Sequence, residues 1–268
     1  MKVGEVIYRL LFFVNSNKEK DVYYTIAWTM LQNIKEVPRL NINQLADMCY
    51  TSTSTISRFI KKLGYESFGD FKEKVELVLG YYKRDISYNP DFGEKSDIDP
   101  SLMVKNFYGV INNHLKETCN NLDIRKLDKL LELIYQHKKI NFFGMQFSQY
   151  MSMEIQAKLL ALGKFVTAFV DVKEQLKCAE ESDEDSLAII LSIAGRVGKT
   201  DLVNKIKESK SKLVVITQNP KVDFLEDADL VILFGNKNTD KEEFLLGGRY
   251  ALLSIIDLMY YRYVFLYN

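Results

Sequence analysis

From residue 140 onward, short runs that are apolar almost from end to end recur along the chain: INFFG at 140–144, FVTAFVD at 165–171, SLAIILSI at 186–193, KLVVITQN at 212–219 and DLVILFG at 229–235. Gly, Asn, Asp or Ser bounds these runs, and segments long enough for helices lie between them, such as SQYMSMEIQAKLLALG and KTDLVNKIKESK. A strand that is apolar at successive positions has no face to offer water, so it must be covered on both sides. A parallel sheet between layers of helices does this. The pattern predicts an α/β domain with a parallel sheet of about five strands flanked by helices. Two amphipathic helices lead into it, one carrying Phe107, Ile111, Leu115 and Leu122, the other Leu127, Leu130, Leu131 and Ile134.

The first 80 residues have a different texture. Apolar residues recur there at helical spacing in four or five short segments, and almost nothing alternates as a strand would, so an all-helical unit is expected. Between the two textures, residues 81–100 hold two of the four prolines and many charges without an apolar period, which reads as a linker. The expected division is 1–80, linker 81–100, and 101–268.

The 268 residues have room for two ordinary domains, and 47% apolar with 27% charged residues excludes disordered, collagen-like and coiled-coil classes. Cys49, Cys119 and Cys178 lie far apart with no CxxC pair, which suits a reducing compartment and suggests neither a disulfide framework nor zinc. The N-terminal VIYRLLFFV is interrupted by Arg9 and lacks a cleavage site, so it reads as a core helix. The C-terminal YALLSIIDLMYYRYVFLY carries Asp257 and Arg262 and reads as a buried helix and not a span. A cytoplasmic protein without membrane partner, metal or cofactor is expected.

The stretch NINQLADMCYTSTSTISRFIKKLGYESFGDFKEKV carries the most specific chemistry. A short helix, Asn43 to Cys49, passes through Tyr50 and Thr51 into a second helix that runs from Ser52 or Thr53 to Leu63. Ser52 is a suitable N-cap and Gly64 a suitable stop. At about 100° per residue, Ile56, Phe59, Ile60 and Leu63 share one side of that second helix, while Ser54, Ser57, Arg58 and Lys61 fan out opposite. Short hydroxyl side chains let a helix approach the major groove closely, and arginine can fork onto a guanine edge or clamp a phosphate. Lys61 and Lys62 add neutralising charge, and no acidic residue stands between Ser52 and Lys62. Zero net charge, 36 basic against 36 acidic residues, is no obstacle, because the local field of the docking face decides.

In this string Ala46, Ser52, Thr55, Ile56, Arg58, Phe59, Leu63, Gly64, Phe68, Phe71 and Lys72 fall in register with the helix-turn-helix of the RpiR family of bacterial transcriptional regulators, which the chain closely resembles. It departs where the family usually has Gly at the turn, here Tyr50, and Pro after the N-cap, here Thr53. A non-glycine residue at that turn implies modest strain. The resemblance implies contacts to double-stranded DNA by Ser52, Thr53, Ser54, Thr55, Ser57, Arg58, Lys61 and Lys62. Thr53, Ser54, Ser57 and Arg58 would reach bases, and Thr55, Lys61 and Lys62 the backbone.

The same family carries a C-terminal SIS (sugar isomerase) domain that binds phosphosugars and dimerises, and the resemblance extends over nearly the whole chain. INFFGMQFS is similar to its first strand and Ser-bearing loop, FVDVKEQL to the second strand with its Asp171, and LAIILSIAGRVGKT to the third strand and phosphate loop. VVITQNP and DADLVIL resemble the fourth and fifth strands, and GGRYALLSIIDLMY the last helix with Arg249 and Asp257. Hydroxyls and backbone N–H groups at strand ends beside helix N-termini suit phosphate. The implied ligand-binding set is Gln146, Ser148, Ser192, Gly195, Arg196, Lys199 and Thr200. Here too the chain departs from the family: Gln146 replaces a glycine, Ala194 and Val197 replace a serine and a threonine, and Val222 replaces a serine.

AGRVGKT is not a Walker A loop, because the required glycine five residues before Gly198 is Ile193. His114, His137 and the acidic run 178–186 form no catalytic or ligand spacing. The resemblance therefore implies a regulator of sugar or amino-sugar genes, not an enzyme, acting as a homodimer or tetramer on a palindromic operator under a phosphosugar effector. Two alternatives stand beside it: a regulator whose degenerate SIS domain only dimerises, and a phosphosugar isomerase.

Overall fold

A computed structural model describes residues 5–87, 99–235 and 244–268. The chain forms two compact units, residues 1–88 and 89–268.

The first unit is all helical: α1 (Glu5–Ser16), α2 (Val22–Gln32), α3 (Ile42–Met48), α4 (Thr53–Lys62) and α5 (Phe68–Ser87). Its core takes one stripe from each helix, including Val6, Leu10 and Val14 of α1, Ile26 and Met30 of α2, Ile56, Phe59 and Ile60 of α4, and Phe71, Val75 and Val78 of α5. Helix starts follow capping chemistry. Asp21 accepts the Tyr24 N–H at 2.8 Å, and Asn41 and Gln44 form a reciprocal capping box at 2.9 and 2.8 Å. Helix α5 continues through Ser87, so the first seven residues expected as linker are helical. Residues 88–98, where most of the expected linker falls, lie outside the described residues.

The second unit begins with α6 (Pro100–Asn121), which Pro100 opens at its first position, and α7 (Ile124–Gln136). There follow β1 (Lys139–Gly144), α8 (Phe147–Ala161), α9 (Val172–Glu180), β2 (Ser186–Ser192), α10 (Leu202–Glu208), β3 (Lys212–Thr217), β4 (Leu230–Leu233) and α11 (Phe244–Tyr267). All strand pairs are parallel, in the order β1-β2-β3-β4. Successive side chains alternate between two cores, as strand geometry requires. Phe142, Leu187, Ile189, Leu191, Val214 and Ile216 pack with α7, α8 and α11, whereas Phe143, Ala188, Ile190, Leu213 and Val215 pack with α9 and α10. This two-sided burial is why the runs are apolar throughout.

Among the described residues the sheet has four strands, not five. The run 165–171 meets β1 at a single parallel bridge, Asn141 to Thr167, closed by Phe142 N to Thr167 O at 2.8 Å and Thr167 N to Ile140 O at 2.9 Å. Only Val166 and Ala168 of this run are buried, while Phe165 and Phe169 are exposed, and Asp171 already caps α9. An edge segment with one face in water and a helix start at its end has little length left for a ladder. Likewise Lys199 and Thr200 do not open the helix after β2. A 3-10 turn, Arg196–Lys199, intervenes and α10 starts at Leu202.

Candidate functional site

The geometry of α4 is set at both ends. Ser52 accepts the Thr55 N–H at 3.2 Å, and its hydroxyl lies 2.8 Å from that of Ser54 and 2.9 Å from that of Thr55. At the other end Gly64 adopts φ 90°, with Gly64 N to Lys61 O at 2.9 Å and Tyr65 N to Ile60 O at 3.2 Å closing a Schellman motif. Arg9 of α1 donates to the carbonyl of Leu63, bracing the end of α4 against the first helix.

The turn before α4 repeats this motif on α3. Tyr50 N bonds to Asp47 O at 3.1 Å and Thr51 N to Ala46 O at 2.9 Å, which places Tyr50 at the position that calls for a left-handed residue. Its φ is 50° and the residue is 98% exposed. The strain implied by the missing glycine is therefore present.

Around α4, Ile56, Phe59 and Ile60 are buried, whereas Ser54, Arg58, Lys61 and Lys62 are exposed. Thr53, Thr55 and Ser57 are half-buried, and the Ser57 hydroxyl donates back to Thr53 O at 3.0 Å. Arg58 lies 3.5 Å from the Thr55 hydroxyl, at the limit of a hydrogen bond, so little holds it in place. Lys62 is turned toward the neighbouring helices, its ammonium 5.1 Å from the Tyr23 ring centre and 5.7 Å from that of Phe13. Phe59 also stacks on Tyr23 and meets Phe13 edge-on, so Lys62 belongs to the flank of the reading face. What faces outward is a band of Ser54, Arg58 and Lys61 with hydroxyls gathered at the helix start.

In the second unit the ligand candidates gather at the carboxyl ends of β1 and β2. Gln146 precedes α8 with φ 54° and ψ −121°, a positive-φ conformation that favours glycine, at the position where glycine is missing. Ser148 is buried in the first turn of α8. Ser192 ends β2 and its hydroxyl accepts the Gly195 N–H at 3.0 Å; Gly195 has φ 77°. Thr200 donates to Val197 O at 2.7 Å and accepts from Leu202 N at 3.2 Å. Arg196 and Lys199 share the 3-10 turn, and their side chains lie outside the described residues. The replacements fill the loop: Val197 is buried, and a Cβ on Gly195 would stand 2.3 Å from a Val222 methyl.

The other residues singled out by the resemblance have structural partners. Asp171 accepts the Lys173 and Glu174 N–H groups as the cap of α9, the Arg249 guanidinium lies 5.8 Å from the Phe147 ring centre, and Asp257 pairs with Lys158 of α8, raising the lysine pKa. A groove of about 420 Å3 opens at the opposite, amino ends of β1 and β2, lined by Lys139, Phe165, Thr167, Cys178, Ser182 and Ser186. Burial pushes the Cys178 thiol up, which makes it a weak nucleophile at neutral pH. Sequence reasoning overlooked Gln149 and Gln218, both at the carboxyl edge and both buried. A glutamine directly after the strand run VVIT was the one signal, and it reads as an ordinary loop residue.

Residues 16–79 match the family model described as helix-turn-helix domain, rpiR family, and residues 133–265 match the SIS domain model. An HTH-type transcriptional regulator of Caldanaerobacter subterraneus is 23% identical over 236 residues, covering 88% of this chain and 82% of the relative. The Vibrio vulnificus NanR protein complexed with ManNAc-6P has a similar fold, with a TM-score of 0.55 at 17% identity over 98% of this chain and 92% of that one. The sugar isomerase domain of an RpiR transcription factor from Sphaerobacter thermophilus matches 60% of this chain and 89% of its own, with a TM-score of 0.50 at 17% identity. A helix-turn-helix domain in one unit and an SIS domain in the other define a DNA-binding transcriptional regulator. The chain belongs to the RpiR family. Among the described residues no helix is long and apolar enough to cross a membrane.

Proposed function

We propose that this regulator acts in the cytoplasm on genes of sugar or amino-sugar metabolism or transport, with residues 1–80 as the DNA-binding domain and 101–268 as the effector domain. Helix α4 enters the major groove, where Thr53, Ser54, Ser57 and Arg58 meet base edges while Thr55, Lys61 and Lys62 hold the backbone, with Ser52 at the capped helix start beside them. The observation that carries this reading is the outward band of Ser54, Arg58 and Lys61, exposed and without an acidic neighbour on α4. A homodimer, or a pair of dimers, would set two such helices about one DNA turn, ~34 Å, or a multiple apart on a palindromic operator. Exposed Tyr261 and Phe265 of α11 and Leu160 of α8 supply apolar surface for association through the second unit.

A phosphosugar is the proposed effector, at the carboxyl edge near Gln146, Ser148, Ser192, Gly195, Arg196, Lys199 and Thr200. NanR complexed with ManNAc-6P, which shares the fold, supports a ligand of this class. By binding one dimer arrangement more tightly, the ligand would shift the spacing of the reading helices. One observation favours the alternative of an effector site lost to dimerisation alone: Thr200 and Ser192 already use their hydroxyls inside the loop. The naming of curated relatives as transcriptional regulators supports a non-enzymatic role over a phosphosugar isomerase.

The test is Arg58→Ala in a footprinting titration on the chain's own operator. Specific affinity should fall by about 1–3 kcal/mol, and equal binding by variant and parent refutes the placement of α4. Thermal-shift screening of phosphosugars separates the sensing reading from the degenerate one.

A further inference from the structure

We propose that the side-chain amides of Gln149 and Gln218 form a specificity subsite that reads the hydroxyl-bearing sugar end of the effector, not its phosphate; this rests on the reading of the second unit as an effector domain. Gln149 is 2% and Gln218 1% exposed, and in both the amide oxygen and the amide nitrogen are buried without a hydrogen-bond partner. Among the described residues these are the only buried side-chain atoms in that state. A buried amide with nothing to bond weakens folding by roughly 5- to 150-fold in the equilibrium constant, so such groups call for a reason.

The same sheet gives both polar atoms of a third buried glutamine a partner. Gln175, 3% exposed and on the other face, accepts the Gly144 N–H at 3.3 Å and donates to Gly144 O at 3.1 Å. The fold can therefore pair a buried amide, and at Gln149 and Gln218 it does not.

Their placement is shared. Gln149 stands in the first turn of α8 and backs onto Gly144, the last residue of β1; a Cβ there would lie 3.0 Å from Gln149 N and 3.2 Å from its Oε1. Gln218 follows the last residue of β3 and lies against Gly235 and Gly248. A Cβ on Gly235 would be 3.1 Å from its Cδ, and one on Gly248 would be 2.4 Å from its Oε1. Three glycines thus leave the amides the space that side chains would fill. Both residues belong to the carboxyl edge, on the face covered by α8 and α11. Since β1 and β3 flank β2, the spacing of parallel strands puts their ends roughly 10 Å apart.

The chemistry of the pair selects its partner. Each amide presents an acceptor oxygen and a donor nitrogen, and a group that satisfies both must itself donate and accept. A hydroxyl does so, whereas an ionised phosphoryl oxygen only accepts and would leave both Oε1 atoms unmet. A site of this kind rejects a ligand that lacks the matching hydroxyl, because the amides are then left unpaired.

The experiment uses the full chain as parent, Gln149→Leu, Gln218→Leu and, as unbranched controls for packing, Gln149→Met and Gln218→Met. The probes are ManNAc-6P, a panel of other hexose and pentose phosphates, the free sugar of each, and inorganic phosphate, read by thermal shift and by calorimetric titration. The sugar phosphate that stabilises the parent should bind each variant about ten-fold or more weakly, with the response to inorganic phosphate unchanged. The ligand-free variants should melt at or above the parent, since an apolar group replaces an unpaired amide. Sugar-phosphate binding within about two-fold of the parent overturns the proposal while leaving effector sensing intact, and so does a ligand-free loss of melting temperature shared by the Leu and Met variants. A parent that responds to none of the probes overturns both readings together.

Discussion

Tyr50→Gly should stabilise the N-terminal unit, and the structure gives the size of the effect. Tyr50 occupies the residue after the cap of α3 with φ 50°, where an L side chain costs about 1–2 kcal/mol and glycine nothing. Because the residue is 98% exposed, removal of its side chain forfeits almost no packing. Against the gain stands the wider conformational freedom of glycine in the unfolded chain, about 0.4–1 kcal/mol. The net is a stabilisation of about 0.5 kcal/mol, which for a unit of this size raises the melting temperature by roughly 2–4 °C. Tyr50→Val should move the other way by about 1 kcal/mol, since a β-branched residue fits the left-handed region worse. The chain's single tryptophan, Trp28, lies in α2 and is stacked on Tyr24, so its fluorescence follows the unfolding of this unit selectively. A lower melting temperature for the glycine variant, or shifts of the same sign for both, refutes the strain argument.

In salt-dependent operator titrations, Lys61→Ala should reduce the slope of log affinity against log salt by about 1, and Lys62→Ala by less, because its ammonium sits over Tyr23 and Phe13. Equal slopes for the two variants would show that the rings do not weaken the hold of Lys62 on the phosphates. Gly195→Ala combines a left-handed backbone with a methyl 2.3 Å from Val222, and should destabilise the second unit by about 2–4 kcal/mol; Val222→Ala in the same chain should recover part of it in a denaturant titration. Asp128 accepts from Arg262 at 2.8 Å through both oxygens, and that hydrogen bonding holds its carboxyl below the ordinary range. The pair's modest contribution is therefore complete above the usual unfolded value of about 3.9 and fades as the pH falls through the lower folded value. Asp128→Asn should be less stable than the parent at neutral pH, with the gap closing in acid; a gap that grows in acid contradicts the sign.

Much of this molecule could be read from its residues because the signals were local. Ser52 and Gly64 announced the ends of α4 through capping chemistry that needs no distant partner, and the pattern of Ile56, Phe59 and Ile60 fixed which side of the helix is buried. The sheet was readable for the same reason, since uninterrupted apolar runs require cover on both faces. What escaped depends on neighbours remote in sequence. The run 165–171 looks like its companions by composition, yet only one of its residues pairs with β1. Lys62 is as basic as Lys61, and only the aromatic rings of Phe13 and Tyr23 draw it aside. Gln149 and Gln218 carry no mark of burial, because the space they occupy is made by glycines on other elements, Gly144 of β1 for the first and the remote Gly235 and Gly248 for the second.

The bond from Arg9 to the Leu63 carbonyl joins the reading helix to a segment that precedes the stretch matching the family's DNA-binding model, which begins at residue 16. On the docking proposed above, pitch and sequence preference would be separable properties: the motif would choose which bases are touched, while an outside strut would set the angle of attack. Chimeras that transplant 16–79 alone would carry the reader without its mount, and the boundary for domain exchange belongs ahead of Glu5.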